Sequence, residues 1–243
     1  LLYSRFFNLV LNDLELTKAK EPFDHLLTQG MVIKDGAKMS KSKGNVVDPD
    51  EIIKTYGADT ARVFILFAAP PVKDLEWSEQ GVEGCYRFLK RVWRIFSDFV
   101  DEAKTATPAD EKFSTSVKEL KELRRMTHIT IRRVTEDIEK RMQFNTAIAA
   151  IMELVNHLYH FKDWKKQQEA IDSAPVVRES MEALILTLWP FAPHIAEEMG
   201  ALLNFSEPEK SWPLYNEGLT QTDEILIVLQ VNGKVRQKLQ IEA

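Results

Sequence analysis

The chain of 243 residues has a single cysteine, Cys85. That excludes an internal disulfide and any zinc site built from several cysteines, and it fits a reducing compartment such as the cytoplasm. Long apolar runs are also missing. None approaches the about 18 residues that a membrane-spanning helix needs, and the longest, such as 63–71, is short and bounded by prolines. The opening residues Leu1-Leu2-Tyr3-Ser4-Arg5-Phe6-Phe7 start in mid-pattern, with no initiator methionine, basic segment or small-residue cleavage site. No signal peptide is read there. Positive charge is not in excess: 32 Lys and Arg against 37 Asp and Glu leave a net charge of −5. That argues weakly against a general nucleic-acid binder, although local distribution decides for a specific partner. No internal repeat or low-complexity tract occurs, and no Ser-His-Asp or Cys-His order points to nucleophilic hydrolysis.

What is present is a globular composition, 44% apolar and 28% charged, long enough for one large or two ordinary domains. The most concentrated chemistry lies in Lys38-Met39-Ser40-Lys41-Ser42, followed by Lys43-Gly44-Asn45. Lysines are mobile point charges and hydroxyls are donors, a combination suited to a polyphosphate; Gly44 lets the backbone turn and serves as a candidate hinge.

Apolar spacing organises the rest. Residues 1–16 read as a helix. Pro22 suits the first turn of a short helix, with Phe23, Leu26 and Leu27 inward. Gly30–Met39 reads as a hairpin turning at Asp35-Gly36. Asp48 before Pro49 opens a helix that stops at Gly57, and Asp59 or Thr60 opens another through Ala68. The stretch Pro70–Trp77 is the expected boundary. Beyond it, Val82, Cys85, Leu89, Val92, Phe96, Phe99 and Ala103 form the seam of a bundle helix, and further helices are expected over 114–140, 143–164 and 176–188. The Trp189–Pro193 prolines restart the chain as a helix over 194–202. Residues 207–218 read as extended loop. Residues 224–231 and 234–241 read as strands joined by an Asn232-Gly233 turn.

The Lys38–Ser42 motif, with Gly44-Asn45 and Asp48-Pro49 after it, resembles the mobile signature loop of class I aminoacyl-tRNA synthetases. Tyr56–Arg62, Glu76–Gly84 and Arg87–Trp93 are similar to the leucyl family in particular. Phe144-Asn145-Thr146-Ala147, Pro190–His194 and Val231–Lys234 extend the likeness to the family's bundle and small C-terminal domain. The five histidines never form the family's His-x-Gly-His signature, and nothing resembles an editing domain or an amino-acid pocket. The expectation is the last third of such an enzyme. The resemblance implies a mainly α chain: the end of a class I Rossmann catalytic domain over 1–72, a four-helix-type anticodon-binding bundle over 73–220, and a β-hairpin over 221–243 opening a small, truncated C-terminal domain.

The resemblance also implies ATP-dependent attachment of leucine to tRNA(Leu), with Mg2+ accompanying ATP, no metal held by the chain itself, and a monomer. Lys38, Met39, Ser40, Lys41 and Ser42 would bind ATP, and Lys41 would neutralise the departing pyrophosphate. Arg87, Lys90, Arg91 and Arg94 lie opposite the apolar seam, an array suited to RNA phosphates, with Trp93 able to stack on a base or pack in the core. Lys118, Lys121, Arg124, Arg125, Arg132 and Arg133 form a second basic stripe, which salt-bridge lacing with Glu119 and Glu122 explains nearly as well. His157 and His160 share a helix face without an evident third metal ligand. His194, Asp48 and Asp50 fit helix starts better than catalysis. A non-catalytic RNA-binding module and a valyl- or isoleucyl-tRNA synthetase fragment are the alternatives.

Overall fold

The seam read from the sequence becomes the axis of the molecule. Ser78 accepts a hydrogen bond from Gly81 N–H at 3.1 Å and starts α4 (Glu79–Ala103), and all seven seam residues from Val82 to Ala103 are buried. Against it pack α6 (Phe144–Lys165) and α7 (Ala174–Leu188), and α5 (Lys118–Glu136) packs on those two, the bundle that the spacing predicts. The computed structural model describes residues 1–168, 171–205 and 211–221, and the backbone of 224–231 and 234–242. Phe96, Ile148, Ile151, Leu154, Leu158, Met181 and Leu184 are fully enclosed. At about 1.5–3 kcal/mol for each such side chain, this core dominates the stability of the chain.

Two departures in the bundle have local causes. The second helix begins at Lys118 rather than Ser114, because Thr115 Oγ1 accepts from Val117 N–H and holds the entry extended. It then widens into a π turn over Asp137–Arg141, ending at Met142 in a left-handed conformation, φ 50°. The prolines at 190 and 193 act as expected: α7 stops before them and α8 (Pro193–Leu202) restarts with Pro193 in its first turn.

Upstream, α1 (Leu2–Asp13) forms as the spacing predicts. The expected helix after Pro22 does not. Residues 21–30 are irregular, and Phe23, Leu26 and Leu27 are exposed, so no packed face rewards helix formation there. The hairpin is present: β1 (Val32–Lys34) pairs antiparallel with β2 (Ala37–Lys38), turning at Asp35 and Gly36, both left-handed as a type I′ turn requires. Asp48 accepts from Asp50 N–H at 2.9 Å and caps α2 (Pro49–Tyr56), which stops at Gly57. Asp59 and Thr60, however, do not open α3 (Ala58–Phe67); they lie inside it.

The stretch over 70–77 is structured. Its β3 (Leu75–Glu76) pairs parallel with β1, completing a three-stranded sheet of order β2-β1-β3. Leu75 N–H donates to Met31 C=O and Trp77 N–H to Ile33 C=O. Leu75 and Phe64 join the same apolar core as α4. The base of the hairpin is thereby attached to the strand that runs directly into the bundle. Two further strands, β4 (Glu224–Val231) and β5 (Lys234–Glu242), pair antiparallel. The Asn232-Gly233 turn expected between them, and residues 207–210 of the expected loop, lie outside the described residues.

Candidate functional site

The signature motif projects from the open end of the β1–β2 hairpin. Lys38 closes β2 opposite Ile33, and Met39 N–H donates to Val32 C=O at 3.1 Å. Lys41-Ser42-Lys43 then forms one short 3-10 turn, ended by Gly44 at φ 67°, a conformation a side chain would strain. Lys38, Lys41, Ser42 and Lys43 are exposed, while Met39 and Ser40 are half-buried. The hydroxyls of Ser40 and Ser42 stand 3.2 Å apart.

Asn45 is the residue that the sequence reading missed. Its Oδ1 accepts from Ser40 N–H at 2.9 Å, and its Nδ2 lies 3.1 Å from Lys34 C=O and 3.3 Å from Ala37 C=O. One amide thus ties the two ends of the lysine turn to the hairpin. The only signal for it was its place directly after Gly44. This clasp fixes the base of the loop and leaves the ammonium groups free in solvent.

The second candidate array is divided by the fold. Arg87 pairs with Glu83 at 3.0 Å, so an acid one turn upstream does engage it. Arg91 reaches across to α6, donating to Asn156 Oδ1 at 2.8 Å and lying 5.0 Å from the centre of the Tyr159 ring. Lys90, Trp93 and Arg94 instead face a cleft of about 570 Å³ between α3, α4 and α8, with Tyr56, Tyr86 and Ile195. Trp93 is 38% exposed, between the core and surface readings.

Asp59 closes the far side of this cleft. It accepts from Ile195 N–H at 2.8 Å and contacts His194 Nδ1 at 2.8 Å, so it caps α8 from 135 residues away. Arg62, one turn along α3, donates to Pro190 C=O at 3.0 Å. Two sequence blocks that carry the family likeness, Tyr56–Arg62 and Pro190–His194, meet in this joint. His194 is indeed a residue of a helix start.

The second basic stripe is laced with acids, and one of its members is not on the surface at all. Arg124 is buried, paired with Glu179 at 2.9 Å and donating to the carbonyls of Ala109 and Phe113. His128 shares Glu179 at 3.0 Å. Arg125 pairs with Glu122, Arg132 with Glu217, and Arg133 with Glu153. The carboxyl of Glu122 is held below its ordinary pKa by the Arg125 hydrogen bond. His157 is held below its own, chiefly by burial. His157 and His160 border a cavity of about 260 Å³ with Glu122 and Trp164. Among the described residues no three metal-ligating side chains converge, and no helix is long and apolar enough to cross a membrane. Burial pushes the Cys85 thiol up to about 11, which leaves it protonated and inert as a nucleophile at neutral pH.

Comparison with known proteins bears on the family and the fold. Residues 3–78 match the family described as tRNA synthetases class I (I, L, M and V), and residues 120–243 match the anticodon-binding domain of tRNA ligase. Leucine--tRNA ligase of Syntrophobacter fumaroxidans is 54% identical over 99% of this chain, which spans 29% of that relative. The crystal structure of a ternary LeuRS-tRNA-LeuAMS complex from Agrobacterium radiobacter K84 superposes with a TM-score of 0.76 at 37% identity, covering 99% of this chain and 31% of that one. A class I synthetase segment, leading without interruption of the core into an anticodon-binding bundle, is what these likenesses share with the present structure, and the chain belongs to the leucyl-tRNA ligase family.

Proposed function

We propose that this chain supplies the ATP loop and the tRNA-docking bundle for ATP-dependent attachment of leucine to tRNA(Leu). Residues 1–72 act as the end of the catalytic domain, 73–220 as the docking bundle and 221–243 as the start of a small C-terminal domain. The observation that carries the reading is the exposed lysine turn on a clasped base. Lys41 is unburied, bounded by Gly44, and held at its root by Asn45.

Such a loop does its work late in the reaction. As the leucine carboxylate attacks the α-phosphate of ATP, negative charge grows on the departing pyrophosphate. An ammonium that reaches those oxygens only as the bond breaks stabilises the transition state more than the bound substrate. Lys41 takes that role. Lys38, Met39, Ser40 and Ser42 shape the closed loop around the phosphates, and the Ser40 and Ser42 hydroxyls are available as donors. Mg2+ arrives with ATP and lessens phosphate charge; no ligand set on this chain is assigned to it. Arg87, Lys90, Arg91, Arg94 and Trp93 meet the tRNA, chiefly through backbone phosphates that carry no sequence information. The protein works as a cytoplasmic monomer. Without a His-x-Gly-His partner for the lysine turn, the 243-residue chain alone does not aminoacylate.

Amino-acid-dependent pyrophosphate exchange by the full-length gene product tests this directly. Exchange is expected with leucine and not with valine or isoleucine, and exchange driven by either of the latter overturns the assignment. The isolated chain is expected to give none.

A further inference from the structure

We propose that the cleft between α3, α4 and α8 receives one unstacked nucleotide of a bound tRNA, its base against Trp93 and its phosphate between Lys90 and Arg94. The inference rests on the tRNA-docking reading above and names a subsite within it.

Charge is the first argument. The cleft has two carboxylates, and both are already engaged: Asp59 by the start of α8 and His194, and Asp98 by Lys162. The cations are not paired with acids. Lys90 Nζ lies 4.3 Å above the centre of the Tyr86 ring, Arg94 is exposed, and neither has a carboxylate partner among the described residues. A chain of net charge −5 therefore presents, in this hollow, two cations without acidic partners among the described residues. Shape and ring chemistry are the second argument. The volume of about 570 Å³ falls within the ~300–1,000 Å³ typical of ligand sites. Its walls include three aromatic rings, with Tyr56 and Tyr86 edge-to-face at 5.4 Å and Trp93 partly open to solvent. A duplex backbone would engage the cations alone and leave the hollow empty. A single unstacked nucleotide supplies both a π-face and a phosphate, the combination by which proteins hold non-helical RNA.

The test uses the full-length protein and tRNA(Leu) transcript, read by equilibrium binding at several salt concentrations and by 2′-hydroxyl acylation of the tRNA in the complex. Trp93→Ala is expected to weaken binding by roughly 5- to 150-fold, the range for losing one base–aromatic stack. Trp93→Phe is expected to stay within about threefold of the parent, since any aromatic face stacks. Arg94→Gln is expected to lower the salt slope by about one. One nucleotide is expected to gain acylation in the parent complex and lose that gain with Trp93→Ala. Parent-like affinity for both Trp93→Ala and Arg94→Gln would overturn the cleft proposal while leaving tRNA docking intact, and would be the result if a protein segment occupies the hollow. Equal weakening by Trp93→Phe and Trp93→Ala would remove the stacking. Failure of the parent itself to bind tRNA would overturn the docking reading and this subsite together.

Discussion

The first 56 residues and the α4–α8 bundle are built from similar apolar periodicity, and the structure treats them oppositely. In α4 every seam residue is buried. In α1, Leu2, Tyr3, Phe6, Phe7 and Leu9 are all exposed, Tyr3 to 92%, and the only buried residue is the polar Asn8, whose side-chain amide reaches the carbonyls of Ala19 and Lys20. Periodicity therefore declares that a helix has an apolar face; it does not say whether this chain covers it. What separates the two regions is the number of partners. Each bundle helix touches at least two others, whereas none of the principal interhelical contacts involves α1. The lysine turn sits between these extremes, exposed yet anchored through β3 to the packed half.

The largest expected effect is a direct contrast of two phenylalanines. Phe96→Ala, in the fully enclosed core, is expected to destabilise the bundle by about 3–5 kcal/mol. Phe6→Ala, on the open face of α1, is expected to change the same transition by no more than about 0.5 kcal/mol. Urea unfolding followed by far-ultraviolet circular dichroism measures both. Comparable losses would mean that α1 contributes to the core after all.

Next comes a separation of activity from stability. Lys41→Ala in the full-length protein is expected to lower the rate of single-turnover adenylate formation by about 10²–10³, the effect of losing one such donor, without moving the melting temperature. A loss below about threefold would remove the role assigned to Lys41. A smaller effect is expected at the joint between the regions. Asp59→Ala, which strips the cap from α8, is expected to cost about 1 kcal/mol, with Asp59→Asn retaining part of it because an amide oxygen can still accept from Ile195 N–H. Thermal melts of the two variants compare them, and equal losses would show that the negative charge, rather than the capping bond, does the work.

The contrast also marks how far the sequence could be read. The α4 seam, the Asp35-Gly36 turn and the Asp48-Pro49 helix start were legible because each depends on residues within a few positions of one another. Asp59 was not. Its helical position makes it look like the cap of its own helix, and only the return of the chain at Pro193–Ile195 reveals which helix it caps. Arg124 reads as one member of an acid-laced basic stripe for the same reason, since its partner Glu179 lies 55 residues on. The Pro22–Leu27 helix failed in the opposite sense: local signals were present, and no packing partner followed. The lysine turn was legible as a motif, but the clasp by Asn45 required the hairpin to bring Lys34 and Ala37 alongside. For the site, the residue types were readable and their division of labour was not. Which neighbours pack on each face of α4, α6 beside Arg91 and the cleft beside Lys90 and Arg94, is a tertiary fact.

The smallest effect expected is a pH dependence, confined to the bundle. Burial holds the His157 imidazole below its ordinary pKa, helped by His160 and Arg125 and opposed by Glu122 and Glu153. Its neutral form is thus the one the folded state favours. The unfolded chain binds a proton first as pH falls, so the stability due to His157 is complete above the ordinary histidine value and is lost as pH drops through and below about 6.5. Glu122, held low by the Arg125 hydrogen bond, acts with the same sign but in the carboxylate range. The two are therefore separable by pH. His157→Gln is expected to flatten the fall in melting temperature between about pH 7 and pH 5.5 while leaving the loss below about pH 4.5 in place, because only the first window belongs to the imidazole. The lysine turn carries no comparable buried histidine. If His157→Gln left the upper window as steep as in the parent, the half-buried ring beside Glu122 would not be the titrating group.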